Sequence, residues 1–142
     1  MVRALTLAKE AAACGEVPVG AVIVCEGVII AEARNAVEQQ KNVCAHAEML
    51  ALQRASSQLG EKFLLKAHMY VTLEPCAMCA AAISYARIAR LYFGAYDPKS
   101  GGVEHGARVY DHQTCHSKPE IVGGICEREA TTMLSDFFQK LR

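Results

Sequence analysis

Two short motifs limit the folds open to this chain more tightly than anything else in it. "LEPCAMCAAAISYARI" carries Cys76 and Cys79 three positions apart, straight after Pro75, and "CAHAEML" carries His46 with Glu48 two residues on. Each motif opens a stretch with helical spacing, and one apolar run, "HMYVTL", lies between them. If both serve one site, the fold must bring two helix starts together beside a strand.

The chemistry of the residues says what such a site can be. Two cysteines three apart at a helix start point to one side, where free backbone N–H groups and the helix dipole favour thiolates. A lone pair of this kind fits a redox couple, a structural clip or half of a metal site, since zinc takes three or four protein ligands. His46 adds a third donor. A Cys₂His set leaves the fourth position to water, as catalytic zinc requires, and a carboxylate beside it can carry protons. His46, Cys76 and Cys79 are therefore the expected zinc ligands, one ion per chain, and Glu48 the expected proton carrier. One constraint opposes this: residues i and i+2 lie about 200° apart around an ideal helix. His46 and Glu48 can converge only if His46 stands at the very start of its helix.

The rest of the chain supplies a frame for such a site. Val2–Cys14 has helical periodicity and Gly15 suits its end. The apolar runs Val19–Cys25 and Val28–Ala33 flank Glu26-Gly27, a tight hairpin signal, and their composition suggests a sheet covered on both faces. Arg34–Ala45 reads as a polar connection. A helix from His46 to Gly60, a strand at His68–Leu73, a helix at Ala77–Tyr85 and a strand in "ARLYFGA" follow. Tyr96–Lys118 has little periodicity, and long irregular segments in small domains are often functional. A short fifth strand fits Glu120–Val122. Ala130, Met133, Leu134, Phe137, Phe138 and Leu141 then mark a last amphipathic helix. Alternation of strands and helices predicts an α/β fold, a three-layer α-β-α sandwich on a mixed, about five-stranded sheet, with residues 1–142 as one domain.

Composition narrows the setting. At 142 residues, 52% hydrophobic and 21% charged, the chain can bury a core. No apolar run approaches the roughly 18 residues of a membrane span, and Arg3, Lys9 and Glu10 interrupt any signal-peptide-like stretch. A soluble, cytoplasmic protein with no membrane partner is expected. Seven cysteines, an odd number, favour metal ligands and buried thiols over a disulfide framework. Zero net charge argues against a long non-specific electrostatic footprint on nucleic acid, while leaving room for a local basic patch.

"HAE" at His46–Glu48 with "PCAMC" at Pro75–Cys79 resembles the zinc-dependent nucleoside and nucleobase deaminases. Over almost the whole chain, "ALTLAKEA", "EVPVGAVIV", "AHAEMLAL", "YVTLEPCAMCA", "ARIARLYFGAYDPKSG" and "LSDFF" resemble, in order, the bacterial tRNA-specific adenosine deaminase family. The resemblance implies hydrolytic conversion of adenosine to inosine at the wobble position of an arginine tRNA, with ammonia released. It also implies a homodimer that holds the anticodon loop. It makes Asn35 a hydrogen-bonding partner of the target base, and Asp97, Lys99 and Ser100 part of a loop that contacts neighbouring nucleotides. The alternative from the same superfamily is a deaminase of a free base or nucleoside, of guanine or cytosine type. A third, an inert zinc-stabilised module, has no need of Glu48.

The sequence departs from that family in places. Arg34 stands where an aromatic residue is usual, Val43-Cys44 replaces Pro-Thr, and "GGVEHGARVYDHQTCH" replaces a loop closer to "GAAGS". These changes leave the chemistry alone and bear on the RNA contacts.

Overall fold

The computed structural model describes residues 1–142. In chain order the elements are α1 (Val2–Ala13), β1 (Gly20–Cys25), β2 (Val28–Arg34), α2 (Val37–Gln40), α3 (Ala47–Leu59), β3 (Ala67–Leu73), α4 (Ala77–Tyr85), β4 (Arg90–Ala95), β5 (Glu120–Val122) and α5 (Glu127–Lys140). A 3₁₀ turn at Val109–Asp111 interrupts the long segment between β4 and β5.

The five strands form one mixed sheet in the order β2-β1-β3-β4-β5. β1 runs antiparallel to β2 and β3, whereas β3, β4 and β5 are parallel. The β1–β2 turn has positive φ at both Glu26 (51°) and Gly27 (81°). Such a turn matches the right-handed twist of the strands it joins.

Alternation of side chains along each strand builds the three layers. Ala21 and Ile23 of β1, Met69 and Val71 of β3, and Leu91 and Phe93 of β4 share the main core with Ala47, Ala51, Leu52 and Ala55 of α3 and Ile83 of α4. Val22 turns to the other face, against Ala4 and Leu7 of α1. On that same side α5 inserts Ala130 beside Leu5 and Ala95. The sandwich and five-stranded sheet expected from the sequence are thus present. No helix is long and apolar enough to cross a membrane.

Three details differ from the sequence expectation. β2 is an edge strand, not doubly covered: Val28 is 63% and Ile29 50% exposed. The polar connection after β2 contains the short helix α2, too brief to leave a periodic signal. On α5 only Ala130 is buried, so Phe137 and Phe138 are not core residues.

The parallel arrangement fixes where a ligand can sit. In open sheets of this kind, ligands bind beyond the carboxyl ends of the parallel strands. Here the chain leaving β3 runs straight into Cys76, and the chain leaving β4 into Asp97.

Candidate active site

His46 and Cys76 stand at equivalent places. Each is the N-cap of its helix, with extended backbone (φ −71°, ψ 151° for His46; φ −68°, ψ 173° for Cys76). Neither cap makes the usual side-chain hydrogen bond to its own helix, so both side chains are free for the site. Because His46 lies outside the helical turn, the 200° objection lapses. Glu48, in the first turn of α3, lines the same cleft as His46 and Cys76.

The donor atoms of His46, Cys76 and Cys79 all lie within 4.8 Å of one another. His46 Nδ1 is 3.7 Å from Cys76 Sγ and 3.5 Å from Cys79 Sγ. A tetrahedral zinc with bonds of about 2.3 Å to sulfur and about 2.0 Å to nitrogen separates such ligands by roughly 3.5 Å. Donor types and spacing therefore both fit a zinc ion.

The electrostatics are those of a buried, coupled group. The hydrogen bond from Cys79, then that with His46, holds the Cys76 thiol down at about 4. The same hydrogen bond, together with burial, pushes the Cys79 thiol up. The bond to Cys76 raises His46. Burial pushes the Glu48 carboxyl up to about 7. A carboxyl that exchanges its proton near neutral pH suits alternating base and acid roles.

The cleft around these residues has a volume of about 550 Å³. Its walls include Glu16, Val17 and Val19 after α1, Asn35, Leu73, Glu74, Asp97 and Ser100, with Phe137 and Phe138 of α5 and the C-cap Leu141 closing one edge. Of the four recognition residues expected from sequence, Asn35, Asp97 and Ser100 line it. Lys99 does not, and stays exposed on the adjoining turn. Asp97 Oδ1 accepts the backbone N–H groups of Lys99 (3.2 Å) and Ser100 (2.9 Å), so this side chain also shapes its own turn.

Two buried carboxylates in the cleft wall went unrecognised in the sequence. Glu16 accepts the backbone N–H groups of Glu38 (3.2 Å) and Gln39 (2.7 Å), capping α2 from a distance. It also accepts Asn35 Nδ2 at 3.4 Å, which fixes which side of that amide faces it, since a carboxylate only accepts. Glu74 collects donors from the loop after β4. The available signal was local: each is a lone acid in an apolar setting, "GEVPV" and "LEPC", beside a sheet strand.

Tyr96 meets Phe93 edge-on at 5.2 Å. Arg90 pairs with Glu120 at 2.8 Å, Arg108 pairs with Asp111 at 2.7 Å, and Arg87 lies over the Phe63 ring. All seven cysteines are free thiols, and Cys14, Cys25, Cys44, Cys115 and Cys126 join no metal-binding group.

Comparison with known proteins agrees with this geometry. The MafB19-like deaminase family matches residues 1–142. A tRNA-specific adenosine deaminase of Agrobacterium fabrum is 48% identical over 139 residues, covering 98% of this chain and 91% of that protein. A structure solved in biochemical and structural studies of A-to-I editing by tRNA:A34 deaminases superposes with a TM-score of 0.91. It is 48% identical, covering 92% of this chain and 95% of that one. Guanine deaminase from Bacillus subtilis matches less of both, with a TM-score of 0.65 and 42% identity over 67% of this chain and 61% of that one. A deaminase fold, a Cys₂His cluster beside a buried glutamate, and full-length relatives of one kind converge: the chain belongs to the tRNA-specific adenosine deaminase family.

Proposed function

We propose that this protein is a zinc-dependent hydrolase that converts adenosine to inosine at the wobble position of tRNA. The observation that carries the reading is the triangle of His46, Cys76 and buried Cys79, whose first two members line one cleft with Glu48, Asn35, Asp97 and Ser100. A zinc ion held by those three donors supplies the Lewis acidity that makes a water molecule an effective nucleophile near neutral pH.

The chain's own residues do the rest. Asn35, oriented by Glu16, holds an edge of the adenine. Glu48 takes a proton from the water and delivers one to ring nitrogen 1 as oxygen bonds to carbon 6. It then takes the remaining proton from the new oxygen on carbon 6 and passes it to the departing amino group, as the carbon–nitrogen bond breaks and the carbonyl forms. Adenosine and water become inosine and ammonia, and Glu48 returns to its starting state. An anticodon loop suits this cleft because its bases are unpaired and leave their stack at less cost than in a duplex. Asp97 and Ser100 at the wall, with Lys99 on the adjoining turn, contact the nucleotides beside the target. An arginine tRNA in the cytoplasm is the natural substrate.

The active form is a homodimer. Support comes from the outer face of α3 and α4, where Met49, Phe63, Ala82 and an 80%-exposed Tyr85 border an open groove. Sedimentation should give twice the chain mass, and a stable monomer at working concentration contradicts this assembly.

Ammonia release tests the substrate. An arginine anticodon stem-loop with adenosine at the wobble position should be deaminated, while free adenosine, guanine and cytosine should not. Release from a free base alone contradicts the reading and favours the free-base alternative.

A further inference from the structure

The geometry points to Glu74 as a positioning residue. It locks the Asp97–His105 segment into one preformed recognition loop and ties that loop to the turn carrying Cys76. This rests on the proposed role of Asp97, Lys99 and Ser100 in contacting RNA.

Glu74 is only 2% exposed, yet its carboxylate is fully used. Oε1 accepts the backbone N–H groups of Val103 (3.3 Å), Glu104 (2.8 Å) and His105 (2.9 Å). Oε2 accepts the N–H of Asp97 at 2.9 Å and lies 2.8 Å from His105 Nδ1. Both ends of the segment thus close on one side chain. Since a carboxylate only accepts, the His105 proton in this contact sits on Nδ1.

The loop backbone is shaped to that seat. A Cβ on Gly101 would stand 2.7 Å from the Glu74 carboxyl carbon, and one on Gly102 would stand 2.5 Å from Ala77 N at the start of α4. Gly102 N–H also donates to Pro75 O at 2.8 Å, a bond to the residue between Glu74 and Cys76. The spacing between zinc ligand and recognition loop is therefore set by one residue of chain and two points of attachment. A loop held in its bound shape loses less entropy when RNA arrives. His105 brings the divergent part of this sequence into the device, because its ring is one of the contacts.

Glu74→Gln keeps the shape and removes one acceptor. The new amide N–H₂ is best accommodated on the Oε2 side, where His105 can switch tautomer and accept, but Asp97 N–H then faces a donor. Amide hydrogen exchange reads this without any substrate. The Asp97 amide should exchange about tenfold faster or more, while amides within α4 stay unchanged. With zinc-loaded enzyme and the anticodon stem-loop, KM should rise about ten- to a hundredfold at unchanged kcat and zinc content. His105→Ala, a milder change that removes only the ring contact, should raise KM less and in the same direction.

Unaltered protection of Asp97 in Glu74→Gln would overturn the proposal. So would a fall in kcat with KM unchanged, which would place Glu74 in the chemistry instead. If Glu74→Gln fails to fold, an unchanged KM and unchanged loop exchange in His105→Ala overturn it. If the wild-type protein does not deaminate the stem-loop, the substrate reading has failed. Amide exchange then still decides whether Glu74 holds the loop.

Discussion

Glu48→Gln should leave a folded, zinc-bound protein with almost no turnover. The side chain is buried in the wall of the cleft, in the first turn of α3. Of the other acids lining the cleft, Glu16, Glu74 and Asp97 are spent on backbone N–H groups and Glu38 pairs with Lys41, whereas Glu48 is buried beside His46 and Cys76. Losing a positioned general acid–base typically removes about 10²- to 10⁴-fold in rate. In the proposed reaction the same group serves both steps, so the upper end is expected. Stability should not fall, because a neutral amide replaces a carboxyl that burial already pushes up to about 7. Metal analysis and ammonia release on one preparation check both halves. Activity within tenfold of wild type would remove Glu48 from its role.

Cys79→Ala should fail in the opposite order, losing metal first and turnover with it. Cys79 is fully buried, and its sulfur stands 3.5 Å from His46 Nδ1. Removing it leaves two donors where zinc needs at least three. The predicted zinc content falls from one per chain to near zero, and activity falls to background. Thermal stability should drop as well, since a metal that binds only the folded state stabilises it by mass action. Cys115→Ser is the control: that thiol contacts Ser84 and the Ser117 carbonyl rather than the cluster, so it should keep zinc and activity. Full zinc occupancy in Cys79→Ala would contradict the ligand set.

The order of elements and the metal cluster were legible in sequence because both rest on local spacing. Helix periodicity in α1 and α3, the Glu26-Gly27 turn and the two motif starts each need only a few neighbouring residues. What stayed hidden depends on contacts between distant residues. Glu16 caps a helix more than twenty residues away, and Glu74 organises a loop about thirty away. Beyond its apolar setting, nothing in the sequence says which donors such a glutamate will accept. The exposure of β2 followed from its place at the sheet edge, which its apolar composition did not reveal. Phe137 and Phe138 kept core-like periodicity, yet they wall the cleft because α5 packs on the sheet only around Ala130. The segment after Tyr96 looked irregular but is held from beneath, with Tyr110 buried and its hydroxyl donating to Ala80 O at 2.9 Å.

The most direct measurement maps the product on RNA. Arginine tRNA with adenosine at the first anticodon position is incubated with the zinc-loaded protein, digested and analysed nucleoside by nucleoside. Inosine at that position alone, in amounts matching the ammonia released and absent with Glu48→Gln, is the result expected. An unmodified wobble adenosine under conditions where the same preparation deaminates a free nucleobase would contradict it.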